Sequence, residues 1–158
     1  MSKLTQEFIL RNMRIFVLSK EKMLKLVTEE GLRSDCGYIT IKCGDETDFA
    51  VQKTAKNVLK LVFDDIDRKE EKEDILFSSE LATEVLNFFF KMKANGMKTL
   101  FVNCGAGVSR SGAIGEAADI FFNQLEEENK EDHAKFLEDN KQIIPNSLVK
   151  RLMLKEML

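Results

Sequence analysis

A strand, a loop of small residues and a helix follow one another between Lys98 and Phe122, and this arrangement constrains the fold more than any other stretch. Residues 99–102 (Thr-Leu-Phe-Val) predict a strand that is buried on both faces. From Arg110 onward apolar residues recur at helical spacing, which predicts a helix that begins near Arg110. The loop between them begins with the thiol of Cys104 and ends at the guanidinium of Arg110.

Such a loop can bind an anion. Glycines and other small residues let consecutive backbone N–H groups turn toward a common centre, and the following helix adds its own unpaired N–H groups and the positive end of its dipole. Arg110 can add two parallel hydrogen bonds that suit a phosphate. A thiol at a helix N-terminus can have its pKa lowered from about 8.5 to roughly 3.5–7.5. Cys104 would then be a thiolate at neutral pH and a nucleophile for phosphoryl transfer.

The stretch from Val102 to Gly112 resembles the signature of the protein-tyrosine phosphatase superfamily, in its small dual-specificity form and its bacterial branch. The resemblance implies that Cys104 is the nucleophile, that Arg110 clamps the phosphate, and that Ser111 donates a hydrogen bond to the sulfur and eases its departure. It also implies that backbone N–H groups of the loop hold the phosphate oxygens; these belong to Gly105, Ala106, Gly107, Val108, Ser109 and Arg110. The later segment from Ile144 to Leu148 also resembles one found late in relatives.

Buried strands alternate with amphipathic helices along the chain. We predict strands at 14–18, 37–41, 58–63 and 99–102, and helices that begin after Ser19, after Ser78, near Arg110, near His133 and after Asn146 or Ser147. Residues 1–12 would suit a short additional helix. The alternation predicts an α/β fold with a mostly parallel central sheet of about four to five strands and helices on both faces. The resemblance makes this sheet tyrosine-phosphatase-like, and the length predicts one domain over residues 1–158.

Three aspartates follow the third predicted strand, at the sheet edge where ligands bind in parallel α/β folds. Dephosphorylation through Cys104 needs an acid to protonate the leaving oxygen and a base to activate water, and one carboxyl group can serve both steps. Residues 63–66 (Phe-Asp-Asp-Ile) resemble a Phe-x-Asp-Ile pattern of the bacterial branch. The resemblance implies that Asp65 is the acid, while Asp64 and Asp67 remain as alternatives.

Two further residues near the loop bear on its chemistry. Asn103 stands where the family usually has histidine, so we predict a higher pKa for the Cys104 thiol than in the family and slower turnover, but not a dead enzyme. Cys43 ends the second strand on the side of Cys104. It is either a small buried side chain or a partner that forms a protective disulfide with Cys104 upon oxidation.

Composition narrows the function classes. The net charge of −3 gives no reason to expect a nucleic-acid partner, and no apolar run reaches the roughly 18 residues of a membrane span. Three cysteines without paired metal spacing and no visible signal peptide favour a cytoplasmic protein without metal or cofactor.

The expected function is a phosphatase for phosphomonoesters, with phosphotyrosine first and phosphoserine and phosphothreonine as further candidates, and the expected partner is a phosphorylated protein or a small phosphoester. Two alternatives remain open: a weak or inactive phosphate-binding module, and a phosphatase for a non-protein phosphoester. Arsenate reductases and low-molecular-weight phosphatases carry the loop near the N-terminus and the acid later, which is the reverse of the order of Asp65 and Cys104 here.

Overall fold

The computed structural model describes residues 13–125 and 129–158, and in this part of the chain one sheet of four parallel strands organises the fold. The strands are β1 (Arg14–Leu18), β2 (Cys36–Lys42), β3 (Val58–Val62) and β4 (Thr99–Asn103), in the order β1-β4-β2-β3. The α-helices are α1 (Lys20–Glu30), α2 (Ser79–Ala94), α3 (Arg110–Ile120), α4 (Lys130–Asp139) and α5 (Ser147–Met157). A π-helical turn, Phe121–Leu125, continues α3. The predicted parallel α/β fold is confirmed, whereas the helix suggested for residues 1–12 lies outside the described residues.

Side-chain caps set the beginnings of several helices. The Ser19 and Ser78 hydroxyls each accept a hydrogen bond from the backbone N–H three residues later, as the sequence predicts for N-cap residues. Of the two candidates for the last helix, Asn146 is the N-cap, because its side-chain oxygen accepts from the N–H groups two and three residues on. Gly31, with φ of 70°, ends α1.

The two faces of the sheet are covered by different helices. Alternate residues of a strand point to opposite faces, so Leu100 and Val102 join the larger core, beneath the four helices that follow β3, while Phe101 joins the smaller core. In that smaller core Met23 of α1 packs with Tyr38 of β2. Helices therefore lie on both faces, as predicted. Full burial of a side chain such as Leu100 contributes about 1.5–3 kcal/mol to stability, so this layered packing holds the central strand firmly.

All four strands run in the same direction, so their carboxyl ends meet at one edge of the sheet. The residues that follow these ends are Ser19 after β1, Cys43 after β2, Phe63 after β3 and Cys104 after β4. The predicted clustering of the thiol and the aspartates thus follows directly from strand direction. Within the described ranges, no helix combines the length and apolar character needed to cross a membrane.

Candidate active site

The loop between β4 and α3 is pressed against the end of β1. Gly107 has φ of 75°, and a Cβ atom placed on it would lie 2.5 Å from the carbonyl carbon of Leu18 and 2.5 Å from the nitrogen of Ser19. Both the backbone angle and the close approach therefore require glycine here. On the other side of the turn, the Lys20 N–H donates to the carbonyl of Gly105 at 3.0 Å. The start of α1 and the end of β1 together hold the loop in place.

The thiol of Cys104 lies at the base of this loop and is only 2% exposed. Its sulfur is 3.0 Å from the Ser111 hydroxyl oxygen. Burial is the largest single influence on this thiol and raises its pKa, but hydrogen bonds from the Ser111 hydroxyl and from the backbone N–H groups of Ser111, Val108 and Gly107 together outweigh it. The pKa of Cys104 is consequently lowered from its ordinary value. Several loop N–H groups therefore converge on the Cys104 sulfur and favour its ionised form.

Arg110, the first residue of α3, has a buried guanidinium beside the same loop. Its side chain donates from Nη1 to the carbonyl oxygen of Phe63 at 3.1 Å and to the sulfur of Cys43 at 3.1 Å. A Cβ atom on Gly105 would lie 3.5 Å from Nη2, which places the guanidinium beside the start of the loop. The Nε atom is buried and has no partner in the described part of the chain. An unpaired donor on a buried charge is costly, and an anion bound beside it would remove that cost.

Asp65 reaches the loop from the segment after β3. Its Oδ1 atom accepts one hydrogen bond from the Ser109 hydroxyl at 2.7 Å and another from the Asn146 amide at 2.9 Å. The residue itself is exposed to solvent. The structure therefore brings Asp65 into contact with the loop that contains Cys104.

The neighbouring aspartates take other positions. Asp64 accepts hydrogen bonds from the backbone N–H groups of Gly44 at 3.2 Å and Ile75 at 2.8 Å, so its carboxylate ties two loops together. Asp67 is exposed. The geometry thus favours Asp65 over Asp64 as the group that can approach a phosphoester.

No protein-family model and no curated protein matches this chain. Solved structures do match. A human tyrosine phosphatase-like serine/threonine/tyrosine-interacting protein superposes with a TM-score of 0.55 at 20% identity, over 90% of each chain. OH1 from the Orf virus, described as a tyrosine phosphatase with triple substrate specificity, gives a TM-score of 0.53 at 14% identity, over 92% of this chain and 83% of its own. The chain has the protein-tyrosine phosphatase fold.

A third structure with this fold, PTPMT1 in complex with PI(5)P, gives a TM-score of 0.51 at 19% identity, over 93% of this chain and 94% of its own. Similarity at this level of identity establishes the phosphatase fold. The match extends over most of the described chain, whereas the sequence resemblance is close only around the phosphate-binding loop.

Asn103, where relatives with the phosphatase fold usually have histidine, is fully buried beneath the loop. Its amide nitrogen donates to the carbonyl oxygen of Cys104 at 3.2 Å, so it helps to fix the backbone of Cys104. The Asn103 side-chain oxygen and the hydroxyl of Thr40, its partner residue on β2, are both buried without a hydrogen bond among the described residues. Whether the Cys104 pKa is higher than in histidine-bearing relatives stays a prediction.

Sequence reasoning missed the contribution of the segment before α5. The Ile144 N–H donates to the Val108 carbonyl at 3.0 Å, and the Asn146 N–H donates to the Ser109 carbonyl at 3.1 Å. Gln142 adds a hydrogen bond to the carbonyl of Gly107 at 3.2 Å. The resemblance of residues 144–148 to a late segment of relatives was the available signal, but periodicity and spacing gave this segment no role.

Cys43 is half-buried, and burial raises its pKa. All three cysteines are free thiols in this structure. Cys36 is buried at the opposite end of β2, and burial raises its pKa to about 11. The role of Cys43 as an oxidation partner of Cys104 therefore stays a prediction, although its sulfur does lie beside the guanidinium of Arg110.

Proposed function

We propose that this chain is a metal-independent cysteine phosphatase that hydrolyses phosphomonoesters through a cysteinyl-phosphate intermediate. The observation that supports it most directly is the pairing of two features at one loop. The buried Arg110 guanidinium keeps an unpaired Nε donor, and the pKa of the Cys104 thiol is lowered by loop N–H groups and the Ser111 hydroxyl. A guanidinium with a free N–H donor at the same loop as a thiol whose ionised form is stabilised is the arrangement that phosphoryl transfer from a phosphate monoester requires.

In the first step, the Cys104 thiolate attacks phosphorus and the bond between phosphorus and the ester oxygen breaks. The loop N–H groups and Arg110 hold the three phosphoryl oxygens, whose charge they stabilise better in the transition state than water would. Asp65 gives its proton to the leaving oxygen, so that an alcohol or phenol departs rather than an alkoxide or phenoxide. The enzyme then carries phosphate on sulfur.

In the second step, water attacks the phosphocysteine while the Asp65 carboxylate accepts a proton from that water. The bond between phosphorus and sulfur breaks, and inorganic phosphate leaves. The Ser111 hydroxyl, 3.0 Å from the sulfur, donates to the thiolate as it departs. Asp65 ends the cycle protonated and Cys104 ends it as a thiolate, so the catalyst is restored.

Phosphotyrosine is the proposed first substrate, with phosphoserine, phosphothreonine and non-protein phosphoesters next. Two structures with this fold support a broad panel of substrates, since OH1 has triple substrate specificity and PTPMT1 is in complex with PI(5)P. A phosphopeptide and phosphoinositide panel separates these classes once hydrolysis is established.

The decisive experiment is hydrolysis of 4-nitrophenyl phosphate by the wild-type chain and by Cys104→Ser, both with EDTA. We expect turnover by the wild type, none by the variant, and a phosphorylated Cys104 in acid-quenched wild type by mass spectrometry. Turnover that persists in Cys104→Ser, or that EDTA abolishes, would contradict the proposal.

A phosphate-binding module without activity is the second candidate, because Asn103 replaces the usual histidine beneath the nucleophile. It requires a wild type that binds inorganic phosphate in calorimetry but releases no nitrophenol. Arg110→Ala is the control for both cases. Removal of the guanidinium should abolish phosphate binding by an inactive module, and in an active enzyme it should abolish turnover.

A further inference from the structure

Asn146 lies at a junction of three parts of the site. Its side-chain nitrogen donates to Asp65 Oδ1 at 2.9 Å and to the carbonyl oxygen of Ile66 at 3.2 Å. Its backbone N–H donates to the carbonyl of Ser109 at 3.1 Å. Asn146 is only 8% exposed. One residue therefore contacts both the acid-bearing segment and the phosphate-binding loop.

The other half of the Asn146 amide anchors it to a helix. Its side-chain oxygen accepts from the N–H groups of Leu148 at 3.0 Å and Val149 at 3.1 Å, which begins α5. Val149 is itself fully buried in the core. Since the oxygen is fixed by the helix, the nitrogen can point in only one direction, which is toward Asp65.

The carboxyl group of Asp65 consequently accepts hydrogen bonds at only one of its two oxygens within the described residues. Asn146 and the Ser109 hydroxyl both donate to Oδ1, and no residue in 13–125 or 129–158 donates to Oδ2. Two donors on one oxygen fix the plane of the carboxyl group and leave the other oxygen to carry a proton. A general acid needs this arrangement, because the proton must point toward the leaving oxygen when the bond breaks.

We propose that Asn146 is a positioning residue that orients Asp65 so that Oδ2 delivers the proton to the leaving group. This inference rests on the proposed phosphatase function. Asn146 and Asp65 are 81 residues apart, so no local sequence pattern predicts their contact. A misplacement of about 1 Å in a catalytic group can lower the rate by about 10²-fold. Loss of the hydrogen bond from Asn146 to Asp65 should therefore affect turnover more than stability.

The test uses Asn146→Ser, because serine also caps helices well but is too short to reach Asp65. We expect kcat/KM to fall by about tenfold or more with phenyl phosphate, whose leaving group needs a proton, and by less than about twofold with 2,4-dinitrophenyl phosphate, whose leaving group does not. A purely structural role would lower both by the same factor. Asn146→Asp is the second variant, since aspartate also caps but cannot donate from its ionised side chain.

A double-mutant cycle with Asp65→Asn then tests whether Asn146 acts through Asp65. With the acid removed, Asn146→Ser should cause no further loss with phenyl phosphate. A loss that is equal for both esters, an additional loss in the Asp65→Asn background, or no loss in either capping variant would overturn the positioning role. An inactive wild type would contradict the proposed function, which separates the two failures.

Discussion

The sulfur of Cys43 lies 3.1 Å from Nη1 of Arg110, although the two residues are 67 positions apart in the chain. The end of β2 thereby supports the guanidinium at the end of the loop, together with the carbonyl of Phe63 from the end of β3. Two thiols, Cys43 and Cys104, directly follow the ends of the adjacent strands β2 and β4 and lie at the same edge of the sheet. The contact thus places a second thiol beside the arginine that we propose binds phosphate.

We predict that peroxide joins Cys43 to Cys104. Peroxide converts the Cys104 thiolate to a sulfenic acid, and the Cys43 thiolate then attacks that sulfur and displaces hydroxide, so that a reducible disulfide forms. Peptide mapping after peroxide treatment should show a linked peptide from residues 43 and 104, and activity should return with a thiol reductant. Cys43→Ser should instead lose activity irreversibly. A link that involves Cys36, or full recovery of Cys43→Ser, would contradict the prediction.

Alkylation against pH tests the state of the nucleophile. Because the pKa of Cys104 is lowered, its alkylation midpoint should lie below that of an ordinary cysteine thiol, and Ser111→Ala should raise that midpoint by removing one of the stabilising hydrogen bonds. Cys36, with a pKa raised to about 11, is the internal control and should stay unlabelled at neutral pH. An unchanged midpoint in Ser111→Ala would show that the hydroxyl does not stabilise the thiolate.

The lowered pKa of Cys104 should also make the stability of the fold depend on pH. A thiol whose pKa is lower in the folded chain favours folding in its ionised form. Its contribution is present above the unfolded pKa of about 8.5 and is lost as the pH falls through the folded pKa. The free energy of unfolding, measured with denaturant at several pH values, should therefore rise more steeply with pH for the wild type than for Cys104→Ala across this window.

Two glycines of the loop form a matched pair. Gly107→Ala places a methyl group 2.5 Å from backbone atoms of Leu18 and Ser19 at a positive φ, so it should lower the free energy of unfolding by about 1–3 kcal/mol. Gly105→Ala meets only Arg110 at 3.5 Å, an ordinary contact, and should fold normally. Urea unfolding of both variants measures the difference. Equal stabilities would mean that the loop does not need its close approach to β1.

Substitution of Asp64, Asp65 and Asp67 should distinguish an aspartate that is needed for catalysis from one that is needed for stability. Asp65→Asn should reduce kcat with phenyl phosphate by at least about tenfold at acidic pH. The melting temperature should not change, because the residue is exposed and the asparagine oxygen can still accept from Ser109 and Asn146. Asp64→Asn should lower the melting temperature, since its carboxylate accepts the Gly44 and Ile75 N–H groups. Asp67→Asn is the control. An unchanged rate in Asp65→Asn would rule it out as the acid.

Asn103→His tests whether asparagine at position 103, in place of the histidine usual in the family, raises the pKa of the Cys104 thiol. If the histidine of relatives lowers the thiol pKa as the resemblance implies, this variant should alkylate with a lower midpoint and turn over faster than the wild type. Asn103→Leu removes the donor to the Cys104 carbonyl and should shift the midpoint upward. A histidine variant that folds normally and shows the wild-type midpoint would contradict the predicted effect of Asn103.

Local patterns alone were enough to predict much of the architecture. The boundaries of β1 and the caps Ser19 and Ser78 follow from short-range rules, because apolar periodicity and side-chain hydrogen bonds act over a few residues. Parallel strand direction then predicts that Cys104 and the aspartates share an edge, as observed. The loop's glycines and its arginine also lie within one short stretch, so their association needed no tertiary information.

Contacts between distant segments could be decided only by the packed fold. The sequence alone predicts neither that Asn146 bridges Asp65 and Ser109 nor that Arg110 touches Cys43, because these pairs depend on how α5 and β2 approach the loop. The same holds for the distinction between Asp64, which ties two loops together, and Asp65, which faces the site. Side chains of identical chemistry acquire different roles once backbone donors from remote segments reach one of them and leave the other exposed.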